Sequence, residues 1–591
     1  VFVLEIDMAP RFDFIIVGGG TSGSVIASRL ASQTDATILV LEAGRDAGSA
    51  PDVLVPGKYV FQLDRDTDGL WNHRTTPQKH LNGRSLAWIS GRQLGGTSAV
   101  NYMAMARGPA ADYNEWAKLT ADDGWKWQNV LPKMKAMEDF DPQTPAGYQH
   151  LARIDPSNHG VDGPIKLGFG QEMAPGVPTF VTACQEVGIN ICHDINSGDP
   201  VGVGLAQTNT RDGIRSYAAN AYLSDEFRAQ HKNLVIRTNH VVRQLVIDGH
   251  KVRGVVVSQS DSDKEIQFLC NHKVILCGGT IASPQILLSS GIGPKDDLTE
   301  LGIKVVCDIP GVGNGMLDHS ILTLEYRVTD AAVDHRGLFD DKALLEAAES
   351  QYRKDKTGPL SVFGTSGAVA FPKIEAMEKS SEFRALNDNT REYLSHPQRP
   401  SAEIWLASGY AAYTGHIERG QGFISHELLL QNNLSRGTVK LRQSTKGLST
   451  EINPAYLSHP YDKRIAIETI RTALLLARTK AYSGTVVEMV HGPRDEDDES
   501  ILAFVRENLG QGFHSVGTCK MGVAQDDMSV VDCNFDVQGL EGIKIADLSV
   551  CPILTCNHTQ INAYLIGERC VETLIRSWLE WRETRVRTML A

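Results

Sequence analysis

Short apolar runs recur along the chain and are bounded by turn residues, with stretches of helical spacing between them. Phe14-Ile15-Ile16-Val17 is four apolar residues in a row, which predicts a strand buried on both faces. The glycine-rich stretch Gly18 to Gly23 follows at once. Val25, Ile26, Ala27, Leu30 and Ala31 then recur at helical spacing. Thr37 to Leu41 is a second buried run, ending at Glu42. Together these predict a β-α-β unit about 30 residues long. Further along, Leu234 to Val257 alternates around Asp248-Gly249 and predicts a β-hairpin. Val274 to Cys277 predicts another buried strand, leading through Gly278-Gly279 into a helix across Ile286-Leu287-Leu288. Glu403–Leu406 and Phe423–Leu430 predict strands. Helices are predicted at Lys342–Arg353, Arg464–Lys480 and Gln560–Arg582, with further helical signals between 110 and 145. The stretch from 45 to 90, with Pro51, Pro56, Gly57 and Pro77, lacks strong periodicity and predicts an excursion over another region. The segment from 374 to 400 looks loop-like.

Gly18-x-Gly20-x-x-Gly23 sits between a predicted strand and a predicted helix. One glycine permits the tight turn, one lets the backbone approach a pyrophosphate, and one lets helix and strand pack closely. The helix N-terminus offers free N–H groups and a partial positive charge to the phosphates. Glu42 lies 19 residues after Gly23, where an acid would grip a ribose hydroxyl. The pattern predicts an adenine dinucleotide site and does not by itself separate FAD from NAD.

Composition changes this picture little. The 591 residues are 42% hydrophobic and 22% charged, an ordinary globular balance that could fill several domains. The net charge of −13 argues against a general nucleic-acid binder. No apolar run is long enough to predict a membrane span. The ten cysteines are scattered and form no metal pattern, although an isolated disulfide stays open. The stretch before Met8 is too short for a signal peptide. A native start at Met8 implies a cytoplasmic protein, and a removed signal peptide a secreted one.

Three further segments carry a family resemblance. They are Gly91-Arg92-Gln93-Leu94-Gly95-Gly96-Thr97-Ser98-Ala99-Val100-Asn101, the run from Gly279 to Gly293 (GTIASPQILLSSGIG), and Phe513-His514-Ser515-Val516-Gly517-Thr518. They resemble the signatures of the glucose–methanol–choline (GMC) family of FAD-dependent oxidoreductases. Tyr102-Met103-Ala104-Met105 is similar to the aryl-alcohol oxidase branch, although Met105 departs from the usual aromatic or Ala. Pro310-Gly311-Val312-Gly313 with Leu317-Asp318-His319, then Ser435 to Leu441, Asn453 to Tyr456, Ala546-Asp547-Leu548 and Asn557-His558-Thr559-Gln560 extend the likeness nearly end to end.

The resemblance implies an α/β Rossmann-like FAD-binding domain interleaved with a substrate domain on an antiparallel sheet. The expected boundaries are 9–45, 85–120, 215–320 and 505–585 for the first, and 46–84, 121–214 and 321–504 for the second. His514 matches the family's principal base, and His558 a partner that hydrogen-bonds the substrate oxygen. A histidine suits this work because its ordinary pKa lies near neutral pH. The implied FAD contacts are Gly18, Gly20, Thr21, Ser22, Gly23, Glu42, Ala43, Arg92, Gly95, Gly96, Thr97, Ser98, Asn101, Tyr102, Met103, Ala104, Val242, Asp547, Leu548, His558 and Thr559. Relatives with covalent FAD carry a His near Ala99-Val100-Asn101, so the flavin here is expected to be non-covalent. Phe513 and Trp71 are implied at the substrate, with Trp405, Tyr410 and Tyr413 as weaker candidates. Asn562 replaces a Pro common in the aryl-alcohol branch, so the backbone path there is expected to differ.

The expected reaction is oxidation of a small-molecule alcohol, primary and of an aromatic or secondary-metabolite type. The proton goes to a histidine and a hydride to flavin N5, and O₂ or another acceptor takes the electrons. A lyase or cyclase without net oxidation is the alternative that the family fold allows.

Overall fold

The computed structural model describes residues 9–590 apart from 49, 59–67, 171, 260–261, 330–337, 339–340, 363–366, 411, 413–420 and 446. Two seven-stranded sheets carry it. In the first, Leu234–Arg237, Ile38–Leu41, Arg11–Val17, Ser262–Leu276 and Ile543–Ile545 run parallel, with Phe14 opposite Ile38 and Val274 opposite Ile543. Phe14, Ile15, Ile16 and all of Ile38–Leu41 are buried, as parallel strands covered on both faces require. The antiparallel hairpin His240–Asp248/Lys251–Gln259 completes this sheet by pairing with the first half of Ser262–Leu276.

The expected hairpin over Leu234–Val257 is therefore two things. Its arms meet at Asp248-Gly249, but Leu234–Arg237 is a separate parallel strand beside Ile38–Leu41. Alternation alone did not reveal the break at Thr238-Asn239, where Asn239 takes a positive φ and separates the two strands.

The second sheet is antiparallel. Its order is Val486–His491, Ser320–Val328, Gly422–Leu430, Ala402–Ser408, Ala368–Phe371 and Gly202–Leu205. Gly510–Gln511 adds to Ser320–Val328, with Ser320 opposite Gln511. This small pairing matters, because it delivers Asp318-His319 and Gly512-Phe513-His514 to one place. The region from 374 to 400 is not a plain loop. It holds three short helices, at Glu375–Glu378, Ser381–Arg384 and Asp388–Ser395. Between 45 and 90 the chain forms the strand Leu70–Arg74, which pairs with Ala87–Gly91. All ten cysteines are free. No helix among the described residues is long and apolar enough to cross a membrane.

Candidate active site

The cofactor cradle is built where the first sheet meets the helix Thr21–Gln33. Gly18 has φ +102°, a conformation that favours glycine. A Cβ at Gly23 would sit 2.0 Å from the Gly18 carbonyl oxygen, so helix and loop close only around a hydrogen. Gly20 precedes the helix without a side-chain cap, which leaves its first N–H groups for an anion. A Cβ at Gly96 would lie 2.7 Å from the Gly20 Cα, so the two glycine loops pack against each other. The Glu42 carboxylate accepts the Gly19 and Gly44 N–H groups, each at 2.9 Å. Burial nevertheless pushes its pKa up to about 7. The His240 N–H donates to the Glu42 carbonyl oxygen, which brings the strand of Val242 beside that acid. Ala43 lies between Glu42 and Gly44.

Other cradle segments are tied together across the chain. The Ser22 hydroxyl donates to the Ala563 carbonyl, and Arg29 pairs with Glu568 at 2.9 Å, locking the first helix onto Gln560–Leu590. Thr97 Oγ1 accepts the Gly91 N–H, and Ser98 donates to the Gly95 carbonyl. Asn101 bonds Gln560, the Met103 N–H and the buried Arg215. Met103 has φ +63°, and its carbonyl accepts the Asn209 N–H. Ala104 bridges to Thr208. Asp547 accepts from the Gly279 N–H and the Ser283 hydroxyl, while the Leu548 carbonyl accepts the Gly517 N–H. Thr559 is buried and precedes the last helix.

The two histidines meet, with ring centroids 4.8 Å apart and planes at 79°. Each has its own partner. His514 Nδ1 lies 2.9 Å from His319 Nδ1. His558 Nε2 lies 2.6 Å from Glu403 Oε1. Glu403 is fully buried in the strand Ala402–Ser408 and also accepts from Trp405 Nε1 and Gln431 Nε2. Trp405 stands edge-on to His558 at 5.6 Å. Burial, and then positive charge on His558, holds the His514 pKa well below the ordinary histidine value. His514 is accordingly a neutral imidazole near pH 7.

Asp318 holds the loop that carries His514. Its buried carboxylate accepts the N–H groups of Gly512 and His514, at 3.2 and 2.7 Å, and the Tyr456 hydroxyl. Phe513 lies between those two N–H groups, with φ +62°. Burial pushes the Asp318 pKa up to about 7. The folded chain therefore keeps this proton at a pH where the unfolded chain, at about 3.9, has lost it. Its contribution favours folding below about pH 4 and declines as pH rises towards 7. Asp318→Ala strands the His514 N–H and the Tyr456 hydroxyl, while the Gly512 N–H keeps the His319 carbonyl. It is expected to cost about 2–4 kcal/mol in guanidinium unfolding and to slow catalysis with FAD still bound.

Phe513 is exposed and lies 6.3 Å from Tyr102 in an edge-on arrangement. Trp71 stacks on His73 at 5.7 Å and carries the Arg92 guanidinium 5.0 Å over its ring. Arg92 in turn acts on Glu42, so the ring contacts of Trp71 lead towards the acid of the cradle. Trp405 packs in the site. Tyr410 packs on Phe423 at 5.4 Å, and Tyr413 lies outside the described residues. Asn562 bonds Thr555, Tyr113 and Asn557, so its amide pins the loop before the last helix.

Sequence reasoning gave no role to Glu403, Asp318 or His319. A signal existed for the first: an acid within the apolar run Ala402 to Ala407 is a buried charge that needs a partner.

The glycine cradle, the uncapped helix N-terminus and the carboxylate of Glu42 fit an adenine dinucleotide. The GMC oxidoreductase family model matches residues 12–321, and its C-terminal counterpart matches 433–567. The chain belongs to the GMC oxidoreductase family. It is an FAD-dependent enzyme of the alcohol oxidase or dehydrogenase kind. It is 31% identical to the glucose methanol choline oxidoreductase atC of Aspergillus terreus, over 95% of this chain and 92% of that protein. It is also 31% identical to an oxygen-dependent choline dehydrogenase of Rhizobium rhizogenes, over 95% of each. Among solved structures, an FAD-dependent oxidoreductase from Chaetomium thermophilum superposes with a TM-score of 0.85. That match is 25% identical and covers 96% of this chain and 99% of the other.

Proposed function

We propose that this protein oxidises a primary alcohol, with His514 as base and His558 as the group that binds the alcohol oxygen. The observation that carries the reading is the pair of rings 4.8 Å apart, each oriented by a different partner. A neutral His514 can accept the hydroxyl proton on its free ring nitrogen. With Nε2 directed at Glu403, His558 presents Nδ1–H to the same oxygen and stabilises its developing charge. When bound, FAD supplies the two-electron acceptor for the α-hydrogen and its bonding electrons. The carbon–oxygen double bond forms as both hydrogens leave, and the electrons pass to O₂ or another acceptor. The residues named as cradle contacts would hold the FAD. The edge-on pair Phe513 and Tyr102, and Trp405 against His558, supply aromatic surface that suits an aryl or allylic alcohol. The discontinuous division into an FAD-binding and a substrate-binding domain belongs to the same proposal.

Anaerobic mixing of the holoenzyme with a panel of alcohols tests this reading. Primary aromatic or allylic alcohols are expected to bleach the flavin absorbance. Product formed while the flavin stays oxidised would overturn it. Glu403→Gln removes the charge beside His558, and flavin reduction is expected to slow by about 10-fold or more. The segment Ala99-Val100-Asn101 offers no histidine to the flavin, so acid precipitation is expected to leave the yellow colour in the supernatant.

A further inference from the structure

His319 is fully buried, and two of its groups hold the loop that bears the base. Its carbonyl oxygen accepts the Gly512 N–H at 2.8 Å. Its ring stands edge-on to His514, with the two Nδ1 atoms 2.9 Å apart. A pair of neutral imidazoles at that distance shares one proton, so one Nδ1 donates and the other accepts. The direction decides what His514 can do. If His319 donated, His514 would carry its own proton on Nε2, and its site-facing nitrogen would have no lone pair for an alcohol. If His319 accepts, the proton of His514 sits on Nδ1 and Nε2 is free.

We propose that His319 is a positioning residue that accepts the Nδ1 proton of His514 and so fixes the base in its proton-accepting tautomer. This rests on the reading of His514 as base.

The surroundings of His319 favour this direction. The Gln431 main chain is the group that favours a proton on His319. With Nδ1 engaged by His514, that proton belongs on Nε2, although Nε2 itself lies outside normal hydrogen-bond geometry. Burial, and then positive charge on His558, pushes the His319 pKa down to about 3. His319 is therefore a neutral acceptor throughout the working range, unlike the carboxylate that orients a histidine in many hydrolytic sites. A neutral acceptor fixes the tautomer without raising the basicity of His514. The charged and titratable groups around the pair are His558 and Glu403 on the substrate side, and Asp318 with Tyr456 behind the loop. Among the described residues in hydrogen-bond contact with the pair and its loop, Glu403 and Asp318 are the acids. The first is engaged by three donors and the second by the backbone of the base loop and Tyr456.

The test is anaerobic flavin reduction across a pH series in holoenzyme variants, with FAD content and the flavin spectrum as checks on folding. His319→Leu removes the acceptor, and reduction is expected to slow by about 10-fold or more, the scale of an unmet buried hydrogen bond. Binding of an unreactive tertiary alcohol, read from the flavin difference spectrum, is expected to stay within about twofold of the parent. His319→Asn, which keeps an acceptor near the same place, is expected to recover most of the rate. His319→Asp keeps the acceptor and adds charge, so the acidic limb of the profile is expected to move up by about one pH unit or more. The proposal is overturned if His319→Leu stays within about threefold of the parent, if His319→Asn is no better than His319→Leu, or if His319→Asp leaves the limb in place. His514→Ala is measured alongside. Near-normal reduction there sinks the base assignment itself, whereas a slow His514→Ala with a normal His319→Leu sinks only the role of His319.

Discussion

His514→Ala is expected to purify yellow and to slow anaerobic flavin reduction by about 10²- to 10⁴-fold, the usual weight of a general base. The size follows from the site. His514 is neutral and its Nδ1 is already committed to His319, so the ring nitrogen that remains can take the hydroxyl proton. His558 cannot replace it, because its Nε2 is held by the buried Glu403. FAD retention is expected because the cradle glycines, Glu42 and Asp547 lie on other segments. The sign of the pH dependence is also set. A base whose pKa is lowered is competent above that lowered value, so the reduction rate of the parent enzyme is expected to be flat from pH 6 to 8, with its acidic limb below the ordinary histidine value of about 6.5. Stopped-flow reduction at saturating alcohol measures both the drop and the limb. A rate within tenfold of the parent would remove His514 from the base role.

Gly23→Ala is expected to abolish FAD incorporation. Its Cβ would meet the Gly18 carbonyl oxygen at 2.0 Å and the Cys277 Cβ at 3.3 Å. Both neighbours are fixed: Gly18 belongs to the turn after Arg11–Val17, and Cys277 follows the central strand Ser262–Leu276. The helix must therefore back away from the sheet. That moves the N–H groups proposed to hold the pyrophosphate and loosens the contacts of Ser22 with Ala563 and of Arg29 with Glu568. Overpacking of this kind costs about 1–3 kcal/mol where atoms can yield, and more where backbone is struck. The expected outcome is colourless protein or none in the soluble fraction, read as the ratio of flavin to protein absorbance. Gly83→Ala is the fitting control, since no atom lies within 4 Å of its added Cβ and only its positive φ opposes it.

The parts legible in the sequence were those whose physics is local. Phe14 to Val17, the glycine turn and Glu42 lie within about 30 residues, and each constrains the next. The motif likeness also brought out His514 and His558, which lie 44 positions apart. Their partners were hidden because they come from the second sheet. Glu403 reaches His558 across 155 positions and His319 reaches His514 across 195, and no period or spacing encodes such a meeting. The extra strand at Leu234–Arg237 was missed because a parallel pairing with Ile38–Leu41 leaves no local turn signal. The helices between 374 and 400 are too short to show a hydrophobic stripe. Their signs were the caps: Ser380 accepts from the Phe383 N–H, and Asn387 from the Thr390 N–H.

In the proposed reaction His514 takes the hydroxyl proton while the α-carbon gives up its hydrogen. The direct measurement is anaerobic reduction of the parent holoenzyme by an alcohol that bleaches it, compared with the same alcohol carrying deuterium on the α-carbon, and repeated in His514→Ala. Bleaching is expected to be slower with the deuterated alcohol, with a further loss of at least about 10²-fold in the variant. Equal rates for both alcohols, together with an undiminished variant, would contradict this reaction.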